Sequence, residues 1–68
     1  MNTIYDVQQL LKRFGAFIYV GDRLADLRLM EAEVKEIYKS QLIDVQDYQM
    51  AMLLLRREMA IERDKRGE

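Results

Sequence analysis

Gly15-Ala16-Phe17-Ile18-Tyr19-Val20-Gly21 is the one stretch of this sequence that keeps no helical rhythm, and its reading decides the fold. Two glycines enclose five residues rich in β-branched and aromatic side chains, a composition that favours extended backbone. Glycine takes left-handed backbone angles most readily, so each end is suited to a change of direction. In an extended segment side chains alternate. Ala16, Ile18 and Val20 would then face one way, and Phe17 and Tyr19 the other.

Outward from this segment, apolar residues recur every three or four positions in three blocks, the period of an amphipathic helix. Before it, Ile4, Val7, Leu10, Leu11 and Phe14 share one face. Thr3 supplies an N-cap oxygen, Asp6 stands where a capping box needs its acid, and Gly15 suits the left-handed residue that ends many helices. After it, Asp22 is an N-cap for a block in which Leu24, Leu27, Met30, Val34, Ile37 and Tyr38 form a stripe. Glu31 and Lys35 are four apart in the favourable order, worth about 0.3 kcal/mol. The third block opens at Asp44, with Asp47 at the third helical position and Ile43 and Tyr48 at the spacing of a hydrophobic staple. The link Ser40-Gln41-Leu42-Ile43 is short enough to make the second and third helices antiparallel neighbours. The pattern predicts an all-α fold, a three-helix bundle with a short extended segment between helices 1 and 2. Residues 1–68 form a single helical domain with helices over about 4–14, 23–41 and 45–63 and a frayed polar tail over 64–68.

Composition limits the chemistry. Of 68 residues half are hydrophobic and 34% charged, and the chain has no Cys, His or Trp. That excludes zinc fingers, haem ligation, thiol nucleophiles, disulfide frameworks and imidazole bases. A secreted scaffold this short would need disulfide staples, so a cytoplasmic protein is expected. The opening Met1-Asn2-Thr3-Ile4-Tyr5-Asp6 lacks the basic-then-apolar order of a signal peptide. The longest apolar run, Met50 to Leu55, is far short of a membrane span, so no membrane partner is expected. Net charge is −1. Residues 1–21 carry two bases and one acid, residues 22–47 four bases and seven acids, and residues 48–68 five bases and four acids. This lacks the basic footprint of a duplex-DNA binder, so any nucleic-acid role rests on a local patch.

Three kinds of site are weighed. Glu31, Glu33 and Glu36 lie close together on the second helix, but nothing apolar surrounds them to raise a pKa, and they read as a solvated face. Gly21-Asp22-Arg23 opens a helix yet lacks phosphate-loop spacing and presents a carboxylate, so Asp22 reads as a cap. No catalytic residue, metal site or cofactor is expected. Phe17 and Tyr19 are the third candidate. Base stacking needs exposed rings, and the strand backbone needs cations nearby. Lys12 and Arg13 precede the segment, Arg23 follows it, and Tyr5 shares a face of helix 1 with Lys12. These six residues are the candidate site for single-stranded RNA or DNA. The plain alternative is that the rings cover the open end of a small core, and a further one is a protein or peptide docking site built from the same rings.

Helix 3 suggests another surface. Val45, Tyr48, Ala51, Met52, Leu55 and Met59 make its main stripe. Met50, Leu54 and Ile61 fall nearly opposite, with Leu53 at the side. A helix apolar nearly all round is buried on more than one side, so these four residues are the expected interface of a homo-oligomer, the alternative being that the extended segment or the C-terminal tail folds over them. The helix end rich in Arg and Lys, from Arg56 to Arg66, is interleaved with acids and reads as a solvated terminus.

Leu10-Leu11-Lys12-Arg13-Phe14-Gly15 and Ile18-Tyr19-Val20-Gly21-Asp22-Arg23, with Leu29-Met30-Glu31, Tyr38, Asp47-Tyr48 and Leu55-Arg56-Arg57-Glu58, carry a resemblance. Over almost its whole length the chain resembles the YqgQ-like family, small functionally uncharacterised proteins of Gram-positive bacteria. The glycine-framed Ile-Tyr segment is the most specific part of the match. The resemblance implies a three-helix fold, a cytosolic location, no known enzyme activity and a suggested role in binding single-stranded nucleic acid. It carries no catalytic residues. The expected function is a non-enzymatic binding protein, with a protein-interaction or adaptor module as the alternative.

Overall fold

A computed structural model describes residues 1–67 as three helices: α1 (Ile4–Arg13), α2 (Arg23–Lys39) and α3 (Val45–Arg66). No strand occurs among the described residues. The helices pack as an all-α bundle, with α2 and α3 sharing the most extensive contact and α1 laid across both.

The three N-termini follow from local chemistry. The Thr3 hydroxyl accepts the Asp6 amide, and the Asp6 carboxylate accepts the Asn2 amide at 2.8 Å and the Thr3 amide at 3.1 Å, closing a capping box. The Asn2 and Thr3 amides hold the Asp6 carboxyl below the usual carboxylate value. Asp22 accepts the Ala25 amide at 2.9 Å and Asp44 the Asp47 amide at 2.8 Å. Each cap satisfies a helix donor that would otherwise lack a partner.

The C-termini differ from expectation by a few residues. α1 ends at Arg13, and Gly15 takes φ +82°. The Gly15 amide donates to the Lys12 carbonyl and the Ala16 amide to the Leu11 carbonyl, the paired reversal that commonly ends a helix. α2 stops at Lys39 rather than Gln41, because Gln41 itself turns left-handed at φ +61°. Its amide reaches the Tyr38 carbonyl, and the Leu42 amide reaches that of Ile37. α3 runs past Arg63 to Arg66, and Gly67 caps it with φ +75°. The tail expected to fray is therefore helical over Asp64, Lys65 and Arg66; Glu68 lies outside the described residues. Arg66 explains the extension. Its guanidinium meets Asp22 at 2.8 Å and Glu62 at 3.3 Å, tying the end of α3 to the cap of α2.

The core joins Val7 and Leu11 of α1 to Leu24, Leu27, Met30, Val34 and Ile37 of α2 and Ala51, Met52, Leu54, Leu55 and Met59 of α3. Two expectations for α3 are corrected. Leu54 is buried at 7% exposure, so it belongs to the core and not to an external interface. Val45, expected inside, is half exposed. The buried arc of α3 is centred nearer Ala51 and Leu55 than the apolar pattern implied, which turns Leu54 in and the first residue of the helix out. Tyr38 and Tyr48 stack with ring centroids 4.1 Å apart, closing the α2–α3 hairpin beside its link.

Candidate nucleic-acid interface

The segment between Gly15 and Gly21 crosses one side of the bundle. Ala16 and Ile18 pack against the core, whereas Phe17 is 75% and Tyr19 85% exposed. The alternation read from the sequence therefore holds from Ala16 to Tyr19. It breaks at Val20, which is exposed rather than inward. The Val20 amide is drawn instead to Asp26 of α2, whose carboxylate accepts it at 2.7 Å. Asp26 is 6% exposed and lies at the edge of the buried stripe, four residues before Met30. A buried carboxylate needs donors to offset lost hydration, and the Val20 amide supplies one. Sequence reasoning missed Asp26. The only available signal was an acid set at helical spacing from the core residue Met30.

Two hollows flank the rings. One, of about 310 Å³, is lined by Gln8, Leu11 and Lys12 of α1, by residues 16–19, and by Met30. The other, of about 380 Å³, shares Gln8, Ile18, Tyr19 and Met30 and adds Gly21, Arg23 and Asp26. Together they form a groove with an apolar floor and a polar rim. Gln8, not singled out from the sequence, and Met30, read there only as a core residue, stand in both hollows.

The groove gathers four of the six candidate residues: Lys12, Phe17, Tyr19 and Arg23. Lys12 is exposed and makes no ion pair among the described residues, while Arg23 lies 3.8 Å from Glu58, which occupies part of its charge. Arg13 is exposed but lines a different hollow, with Met1, Asn2, Asp6, Gln9, Leu10 and Asp47. Tyr5 is 62% exposed and follows the same α1 face as Gln8 and Lys12, three and seven residues on, without lining the groove.

Of the surface expected on α3, Met50, Leu53 and Ile61 are exposed, and the inward turn of Leu54 interrupts the patch. No group of three or more Asp or Glu among the described residues could hold a metal ion. Among the described residues, no helix is long and apolar enough to cross a membrane.

Two comparisons relate the chain to known proteins. A family model described as YqgQ-like matches residues 1–61, which contain every groove residue and all of α3 but its last five residues. The chain is also 45% identical over 67 residues to a Bacillus subtilis (strain 168) protein titled "Uncharacterized protein YqgQ", covering 98% of this chain and 92% of that protein.

Proposed function

This chain belongs to the YqgQ-like family, and on that footing we propose that it is a non-enzymatic cytoplasmic protein that binds single-stranded RNA or DNA. One observation carries this reading: two aromatic rings, Phe17 and Tyr19, stand exposed on one side of a segment whose other side is anchored in the core. Exposing two neighbouring rings costs hydration free energy unless a ligand covers them, and nucleobases present flat apolar faces of matching size. Residues two apart in an extended segment are roughly 6.6–6.8 Å apart. That is about twice the ~3.4 Å repeat along one strand of a duplex, so a strand must be stretched to engage both rings. The spacing favours single strands over duplexes. Lys12, and Arg23 when released from Glu58, meet the phosphates. Arg13 and Tyr5 are outlying contacts for a longer strand.

A second reading rests on the exposed Met50, Leu53 and Ile61 of α3, which would dock a partner protein. It is the weaker one, because Leu54 leaves the patch and the cation Arg57 stands between Leu53 and Ile61.

Titration of a fluorescent oligonucleotide tests the first reading. Binding is expected to be saturable and salt-sensitive, with Phe17→Ala and Tyr19→Ala each weakening it roughly tenfold. Absence of binding at low salt overturns it.

A further inference from the structure

Asp26 has an oxygen to spare. The residue is 6% exposed, and one carboxylate oxygen accepts the Val20 amide at 2.7 Å. Among the described residues no hydrogen bond or ion pair reaches the other oxygen, and Arg23, the cation three residues before it, stands by Glu58 instead. Nor is that oxygen enclosed by protein, because among the described residues every buried side-chain oxygen has a hydrogen-bond partner. It opens on the hollow of about 380 Å³ that Asp26 lines together with Tyr19 and Arg23. A carboxylate removed from most of its water and bonded on one side only calls for a further donor.

The surroundings say what kind of donor fits. Arg23 lines the same hollow and Lys12 the adjoining one, so a cationic amine meets like charge there and a neutral amino group does not. The exposed ring of Tyr19 offers a flat face at the same hollow, and a base stacked on such a ring keeps its edge free for hydrogen bonds. The two cations suit a phosphate-bearing chain attached to that base. A nucleobase with an exocyclic amino group meets all three conditions.

We propose that the free oxygen of Asp26 selects the base stacked on Tyr19, accepting the exocyclic amino group of cytosine and disfavouring uracil. These two bases have rings of the same size, so stacking treats them alike. At position 4 cytosine presents an amino donor, the group that Asp and Glu side chains read, where uracil presents a carbonyl oxygen. The N3–H of uracil is flanked by two carbonyl oxygens, which repel a carboxylate. The inference rests on the nucleic-acid reading and adds a base preference to it.

Titration of the full chain with fluorescent oligocytidylate and oligouridylate of equal length, at neutral pH, is the experiment. Oligocytidylate is expected to bind roughly tenfold more tightly. Asp26→Asn keeps an oxygen for the Val20 amide and sets an amide N–H donor where the free oxygen stood, so it should equalise or reverse the preference. Lys12→Ala should weaken both strands alike, since phosphates are common to every sequence. A strand of pyrimidin-2-one nucleosides, which are cytidine without the amino group, should bind the unmutated protein no better than oligouridylate. If neither natural strand binds, the nucleic-acid reading falls and this inference with it. If both bind equally, if the pyrimidin-2-one strand matches oligocytidylate, or if folded Asp26→Asn keeps the preference, only the inference is overturned. Should the asparagine variant fail to fold, the pyrimidin-2-one strand decides.

Discussion

The Asp26 carboxylate accepts the Val20 amide at 2.7 Å, and this single bond ties the ring-bearing segment to α2. The bond is part-buried and Val20 itself is exposed, so removing the acceptor costs about 0.5–1.5 kcal/mol. Asp26→Ala is expected to lose that much in urea unfolding, or about 4–8 °C of melting temperature per kcal/mol in a chain of this size. Asp26→Asn keeps an acceptor oxygen and should lose less. Both should speed exchange of the Val20 amide, the local readout that separates release of the segment from general loosening.

Gln41 holds a left-handed conformation that costs a non-glycine residue about 1–2 kcal/mol. Gln41→Gly should relieve most of this, less the entropy that glycine adds to the unfolded chain, for a net gain of about 0.5–1 kcal/mol. A rise in the urea midpoint with an unchanged slope is the expected result.

The facing of α3 is testable by truncation. Leu54→Ala and Leu55→Ala remove buried side chains and should each cost about 2–5 kcal/mol, enough to threaten a domain of this size. Leu53→Ala and Met50→Ala act on exposed positions and should stay within about 0.5 kcal/mol of the parent. If Leu54→Ala behaved like Leu53→Ala, the position of Leu54 inside the core would be wrong.

Acid should weaken the fold through two caps. Amide donors lower the Asp6 carboxyl, and the Ala25 amide and then the Arg66 guanidinium lower that of Asp22, both from an ordinary value of 3.8. A carboxyl lowered in the folded state contributes stability that is complete above its unfolded value. That contribution declines as pH falls below 3.8 and is gone once pH passes the lowered folded value. Thermal melts between pH 6 and pH 2 should show this loss, and Asp22→Asn should flatten part of it.

Arg23 is shared between Glu58 and any phosphate in the groove. An exposed pair of this kind is weak. Glu58→Gln should therefore raise oligonucleotide affinity only modestly, by roughly two- to threefold, and steepen its dependence on salt. Unchanged affinity would remove Arg23 from the phosphate contacts.

The parts of the fold legible in the sequence are those fixed by near neighbours. Thr3, Asp22 and Asp44 cap helices because their oxygens reach amides three residues on, and Gly15 turns because it lacks a side chain. The alternation of residues 16–19 was legible for the same reason. The stop at Lys39 was not, since glutamine carries no signal for a left-handed turn. Nor was the length of α3, because Arg66 finds Asp22 across 44 residues of sequence. Leu54 and Val45 depended on the rotation of α3 against α2, which packing sets and periodicity only approximates. Within the groove, the aromatic and basic residues were visible as types. Their gathering with Gln8 and Met30, the separation of Arg13, and the anchoring by Asp26 required the tertiary arrangement.

The stacked Tyr38 and Tyr48 give the molecule a built-in optical division of labour. The chain has four tyrosines and no tryptophan, so its near-ultraviolet absorption and emission come chiefly from tyrosine. Two of these chromophores are locked face to face at the hairpin, and their dichroism follows its integrity. Tyr5 and Tyr19 are open to collisional quenchers, so iodide quenching follows these exposed rings, of which Tyr19 lines the groove. One unlabelled sample can thus report unfolding and occupancy of the groove through separate signals.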